Sequence, residues 1–255
     1  MFREIYVLYK REVKKTVRNP AVITIMIIQP LMWIAFFGSS FANTPHEFLQ
    51  TFFHTSNYIA FLLPGELATS MLFIGLFSSM SMINDKRFGY LKKLMVTKAD
   101  KSAIFFGKVF GATTRGVIQI PVMILAAMAF GVTIPGNVIG IVEWIIGLLL
   151  LGVGFSALYL IVTMNSRDWQ TPNVIANFIN LPLMFSSTAL FPSSFFPVWM
   201  RDIAEVNPIS FAADLGRAIT VYGDPDPIYL AYLAIFAFVM VTIGVVIAKT
   251  RLSPE

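Results

Sequence analysis

The 255-residue chain is 56% hydrophobic and only 13% charged, with a mean hydropathy of +0.73. Soluble domains run near a quarter charged, and one core of this size has no room for so much apolar surface, so a water-soluble single-core protein is excluded and lipid is the natural solvent. Cysteine is absent, which removes disulfides, thiolate metal sites and cysteine nucleophiles, and the net charge of +5 calls for a nucleic-acid partner only if its cations line a soluble face.

In chain order, residues 2–19 come first. Phe2, Ile5, Tyr6, Tyr9, Val13 and Val17 recur at helical spacing with basic residues on the other faces, which predicts an amphipathic helix lying on the membrane interface. A plain basic orientation signal is the alternative. Asn19-Pro20 breaks this helix, and proline suits the first turn of the next. A membrane-crossing helix needs about 20 apolar residues for about 30 Å of hydrocarbon. Six stretches qualify: 20–42, 58–83, 105–131, 138–164, 172–191 and 228–248. The first is too long for a signal-peptide core and lacks a convincing cleavage site, so no leader is expected to be removed. With these spans, 17 of the 19 lysines and arginines fall on one side, and only Arg201 and Arg217 fall on the other. The positive-inside rule then puts both termini in the cytoplasm of a multi-pass inner-membrane protein.

Between the second and third stretches, Asn84–Lys101 carries Phe88, Leu91, Leu94 and Met95 at i, i+3, i+6 and i+7, flanked by Lys86, Arg87, Lys92 and Lys93. Such a ridge either lies on the membrane or docks in a partner's groove; a charged loop that only sets topology is the bland reading. Gly89 marks a bend or close approach. In the third stretch, Gly107-x-x-x-Gly111 and Ala112-x-x-x-Gly116 suit close helix packing in lipid. Gly107-Lys108 is no phosphate loop, because Ser102 stands at the first glycine position and Val109 replaces the Ser/Thr.

Glu66 lies about two turns inside the second stretch, and either lines a solute cavity, where it could hold a cation, or sits at the interface beside Pro64-Gly65. In the fifth, Asn173, Asn177 and Asn180 share one face, as helix–helix glue or as pathway lining. Pro182 is expected to kink that helix. Residues 192–227 resemble no ordinary loop. Pro197 can start one short helix with Trp199, and Asn207-Pro208 can cap a second. The pair either dips into the outer leaflet and roofs a cavity or forms an interfacial loop anchored by Trp199 and Tyr222. His46 and His54 make a poor metal pair, and no Ser/His/Asp set lies in the spans.

The order of these pieces resembles the type-2 ABC exporter permeases, closest to the daunorubicin-resistance and nodulation-factor branches. The resemblance runs over nearly the whole chain. It rests on Arg18-Asn19-Pro20, Phe61-Leu62-Leu63-Pro64-Gly65, the loop Arg87-Phe88-Gly89-Tyr90-Leu91 to Leu94-Met95-Val96-Thr97, Gly107-Lys108, Ala189-Leu190-Phe191-Pro192, Pro197-Val198-Trp199 and Asn207-Pro208-Ile209-Ser210-Phe211. Lys92, Tyr90 and Thr97-Lys98 depart from the family's usual residues, which bears on individual contact pairs.

The resemblance implies a single all-α permease domain over 1–255 with six transmembrane helices and an interfacial helix over 1–19. It implies that 85–97 is a cytoplasmic coupling helix, with Arg87, Phe88, Gly89, Leu91, Leu94 and Met95 meeting a separate ABC ATPase subunit. Re-entrant outer helices follow over 193–221, with Trp199, Asn207 and Pro208, and Glu66, Asn177 and Asn180 are candidates for pathway lining. No cofactor is expected on this chain, since ATP and magnesium would sit on the partner. A second permease copy, as homo- or heterodimer, is expected to pair along spans one and five, with the bilayer and no nucleic acid as further surroundings. The rival is an ATPase-independent secondary transporter or channel, which would want inverted repeats or buried charge pairs.

Overall fold

The computed structural model describes residues 1–97, 99–134, 138–166, 168, 170–222 and 226–252; Lys98 and Arg167, counted above for orientation, lie outside them. Among the described residues the chain is helical from end to end: α1 (Phe2–Val17), α2 (Pro20–Ser40), α3 (His46–Phe53), α4 (Tyr58–Arg87), α5 (Tyr90–Met95), α6 (Lys101–Ala129), α7 (Val138–Asn165), α8 (Thr171–Phe185), α9 (Val198–Ala204), α10 (Pro208–Arg217) and α11 (Pro227–Arg251). A 3-10 turn at Ser193–Phe195 precedes α9, and a π-helical turn at Ala218–Tyr222 follows α10.

The long helices start where a short polar side chain can take up a free backbone amide. Asn57 accepts from Ile59 N at 3.0 Å to open α4, Asp100 from Ser102 N at 2.8 Å to open α6, and Asp226 from Ile228 N at 3.0 Å to open α11. Each such cap stabilises its helix by about 1 kcal/mol. Asn19 does the same for α2 through Val22 N, with Pro20 in the first turn.

Among the described residues, five helices are long and apolar enough to cross a membrane: α2, α4, α6, α7 and α11. α4 is the axis of the bundle, buried along nearly its whole length against α6, α7, α10 and α2, whereas α2 and α11 leave most of their surface bare. With 30 residues it is about 45 Å long.

The expected fifth span, 172–191, is where the structure departs from the six-span count. α8 has 15 residues, about 22 Å, and stops at Phe185. Pro182 lies three residues from its end, inside the last turn and not in the middle of a long span. The last carbonyls are taken by side chains: Ser187 Oγ donates to Met184 O at 2.6 Å and Asn207 Nδ2 to Leu183 O at 2.8 Å. With its C-terminal acceptors met from outside, the helix has no reason to continue.

α1 meets the starts of α2 and α6 at one end of the bundle, where Asp100 N donates to Glu4 Oε2 at 3.1 Å and Lys101 Nζ to Lys249 O at 3.4 Å. This basic end therefore gathers α1, α5, the start of α6 and the close of α11. α3, α9 and α10 occupy the far end.

Candidate functional site

At the basic end α1 does not rest on its apolar face alone. Leu8, Glu12 and Thr16, at i, i+4 and i+8, form the buried stripe, while Phe2, Tyr6 and Val17 stay exposed. The seat for that stripe is Gly107 and Gly111 of α6. A Cβ on Gly107 would stand 2.7 Å from Leu8 Cβ, and one on Gly111 would collide with Glu12 Cβ. Higher up, Arg115 Nε donates to Thr16 Oγ1 at 3.0 Å and Thr114 Oγ1 to Tyr9 Oη at 3.1 Å. The Gly107–Gly111 spacing in α6 thus serves α1, whereas Gly116 packs against Met71 of α4.

Burying Glu12 requires partners, and they come from α4, from α6 and from the next turn of α1 itself. Ser81 Oγ donates to Glu12 Oε2 at 2.6 Å, and Lys15 Nζ and Lys108 Nζ reach Oε1 at 3.2 and 3.5 Å. The same cations serve Asp85 of α4. Lys108 Nζ lies 2.6 Å and Lys15 Nζ 3.0 Å from its carboxylate, and Arg11 grips it with two nitrogens at 2.7 and 2.9 Å. Burial works against the Glu12 carboxylate, yet Lys108, Ser81 and Lys15 together hold it below the usual carboxylate range. Burial also opposes the Arg11 cation, and the Asp85 bonds outweigh it, raising that group further.

The guanidinium of Arg11 lies 3.6 Å over the ring of Tyr90, the first residue of α5. Helices α1, α4, α5 and α6 are therefore tied together by one charged knot. Sequence reading assigned Arg11, Lys15 and Lys108 to topology and missed the knot; the available signal was Glu12 interrupting a Leu8–Thr16 helical stripe.

The segment expected to form one helix over 85–97 is instead two pieces with a corner. Asp85–Arg87 end α4, and Gly89 takes left-handed backbone (φ 69°) that turns the chain into α5. This corner splits the expected ridge. Leu91, only 4% exposed, packs inward with Leu94 and Met95 against the cluster containing Leu8, Met82 and Phe105. Phe88 and Val96 point outward, 76% and 79% exposed, beside exposed Arg87, Lys92 and Lys93. The outward face is thus Phe88, Lys92, Lys93 and Val96.

Deeper in the bundle, Glu66 is buried and lines a cavity of about 150 Å³ between α2, α4 and α6, with Gln29, Trp33, Ser70, Phe73 and Gln119. Gln119 Nε2 donates to Ser70 Oγ at 3.0 Å. The asparagine stripe of α8 is split: Asn180 is buried and accepts a hydrogen bond from Tyr159 of α7, whereas Asn177 is exposed on the other side. Asn180 joins α8 to α7, and neither residue lines the Glu66 cavity.

The far end is held by a cation that sequence reading treated only as an outside charge. Arg217, closing α10, is 2% exposed. Its Nη2 donates to Thr188 O at 2.6 Å and Ala189 O at 2.9 Å, its Nε to Phe61 O at 3.2 Å, and its Nη1 pairs with Asp214 at 2.9 Å. The same guanidinium stacks 3.6 Å over the Phe61 ring. Tyr58 Oη donates to Leu190 O at 2.9 Å, and a Cβ on Gly65 would collide with the carbonyl of Ala189. Phe61–Gly65 and Ala189–Leu190, 124 residues or more apart in sequence, are thus one packed unit. Asn207 caps α10 through Ile209 N at 3.0 Å and, with Pro208, starts it. Trp199 of α9 is exposed.

Comparison with known proteins gives the family. The family model for the ABC-2 type transporter matches residues 3–221. The chain is 28% identical to the ycf38 transport permease of Cyanophora paradoxa over 95% of its own length and 82% of that protein's. It is 30% identical to ycf38 of Porphyra purpurea over 89% and 76% of the two lengths. Against the daunorubicin resistance ABC transporter permease protein DrrB1 of Streptomyces coeruleorubidus the identity is 22%, over 78% and 66%. The match takes in the knot around Glu12 and Asp85, the Glu66 cavity and the Arg217 unit: the chain belongs to the ABC-2 type transporter family, as a multi-pass membrane permease.

Proposed function

We propose that this chain is the permease subunit of an ABC exporter, moving an amphipathic, lipid-linked or glycan-type solute across the cytoplasmic membrane. Both termini face the cytoplasm, and ATP and magnesium are handled by a separate ATPase chain. The observation that carries the reading is the face made by Phe88, Lys92, Lys93 and Val96. Two bare apolar side chains between lysines suit a groove in a protein partner better than water. That face is mounted stiffly: Leu91 anchors α5 in the core, and Arg11 links Tyr90 to Asp85 and the charged knot. A push on α5 is therefore delivered to α1, α4 and α6 together, and α4 is the helix that carries Glu66. Arg87, Phe88 and Gly89 shape the corner, and Leu91, Leu94 and Met95 support the contact from behind.

Pairing with a second permease copy uses the bare faces of α2, with Ile25, Met32 and Phe36, and of α8, with Val174, Phe178 and Leu181. α8 and the non-helical residues up to 191 together complete the sixth crossing, roofed by α9 and α10. Asn177 on the bare face of α8 then meets the partner copy or the pathway between copies, and Asn180 holds α8 in place.

One observation favours the rival, a secondary transporter: the buried ion pairs around Asp85 and Glu12. Their carboxylates are saturated by three cations and a serine, and they sit at the basic end, which suits a strut better than an ion pathway. Recovery of the tagged chain from native membranes separates the readings. An ATPase subunit should co-purify and transport should require ATP after reconstitution; ATP-independent transport by the permease alone would favour the rival.

A further inference from the structure

Glu66 is 4% exposed, and no hydrogen bond or ion pair to its carboxylate occurs among the described residues. Gln119, which also lines the cavity, has a buried Oε1 that is likewise without a partner. Two residues with unmet acceptors line one cavity within the bundle, where an unpaired carboxylate is among the costliest groups a chain can keep. Arg115 of α6 donates its Nε to Thr16 at 3.0 Å and lies 4.5 Å over the Phe77 ring; its Nη1 is without a partner, and among the described residues it makes no ion pair with Glu66.

The remaining walls are mainly apolar and aromatic, with Met26, Trp33, Phe73 and Phe77, beside the polar Gln29, Thr69 and Ser70. From Ile25, Gln29 and Trp33 the cavity continues into an almost wholly apolar groove along α2, past Ile28, Met32 and Phe36, on the face where the pairing proposed above would set a second copy and so make the groove's outer wall. An acceptor pair and aromatic faces at one end, with a hydrocarbon-like channel at the other, match one ligand chemistry. We propose that this cavity binds an amphipathic organic cation, with the ammonium between Glu66, Gln119 and the aromatic rings and the apolar portion along the α2 groove. The carboxylate supplies the counter-charge, Gln119 Oε1 accepts from an N–H or polarised C–H, and the rings contribute cation–π attraction. This names the substrate class on the footing of the permease reading above.

The test is equilibrium binding of radiolabelled benzyltrimethylammonium to the full chain in nanodiscs of uncharged lipid, with its carbon isostere neopentylbenzene as competitor. No ATPase is present, so failure here and failure of the permease reading are separate results. Saturable binding is expected, with neopentylbenzene competing roughly tenfold or more weakly, Glu66→Gln weakening binding by roughly tenfold or more, and Glu66→Asp staying within about threefold. Trp33→Ala should weaken cation and isostere alike. Absence of saturable binding, equal competition by the isostere, or unchanged affinity in Glu66→Gln overturns the proposal. If Glu66→Gln does not fold, the cation-over-isostere preference of the unmodified chain and its response to Trp33→Ala decide the matter.

Discussion

Arg217→Met removes a buried cation while keeping much of its volume, and the structure allows the cost to be worked out. Phe61 O belongs to a helix and has other bonding available, but Thr188 O and Ala189 O lie in irregular backbone and depend on Nη2. Leaving two buried carbonyls unmet costs about 1–3 kcal/mol each. The pair with Asp214, whose carboxylate is 31% exposed, adds little after solvent screening. Loss of the 3.6 Å stack on Phe61 adds about 1 kcal/mol. The total is on the order of 3–7 kcal/mol, or a fall in Tm of roughly 6–28 °C for a chain of this size. Thermal unfolding in detergent, followed by intrinsic fluorescence, reads it. Arg217→Lys should recover only a small part, since a single ammonium cannot span the carbonyls and the ring as the planar fork does. A Met variant within about 2 °C of the unmodified chain would refute the claim that this cation holds the far end together.

Other perturbations test the basic end. Gly111→Val should unseat α1, because a Cβ there meets Glu12; the native chain has no cysteine, so a single Leu8→Cys reporter gains reactivity toward a soluble maleimide by roughly tenfold if the seat is lost and stays protected if it is not. Glu12 has a folded-state pKa below its ordinary value of 4.5, so its contribution is complete above about pH 4.5 and drains away as pH falls further, through the folded-state value. An acid unfolding profile should show this loss, and Glu12→Gln should flatten that limb while lowering stability at pH 7; parallel profiles would contradict the assignment. Gly89→Ala places a β-carbon at φ 69° and should cost about 1–2 kcal/mol, read as a lower Tm with no change in membrane insertion.

Much of the helical frame is legible in the sequence because its determinants are local. Asn19-Pro20, Asn57, Asp100, Asn207-Pro208 and Asp226 stand beside the amides they cap. The length of α8 is not legible in this way, because the residue that takes the Leu183 carbonyl, Asn207, is 24 positions further on. The coupling ridge fails for a different reason: helical spacing is meaningful only along an unbroken helix, and Gly89 resets the phase between Phe88 and Leu91. Lysines and arginines in a membrane protein are dominated by the topology signal, so Lys108 and Arg217, which do structural work inside the fold, were indistinguishable from those that only set orientation. Glu66 stood out in sequence because an isolated carboxylate in a span has few benign explanations.

The central claim is that an ATPase subunit docks on the outward face of α5. The direct measurement is recovery of that subunit with the tagged permease from native membranes, for the unmodified chain, Phe88→Asp, Val96→Asp and Leu91→Asp. The account predicts that Phe88→Asp and Val96→Asp yield folded permease with ATPase recovery reduced roughly tenfold or more, while Leu91→Asp, which puts a charge into the core, lowers the amount of folded permease itself. Full ATPase recovery with a folded Phe88→Asp, Val96→Asp double variant would contradict it.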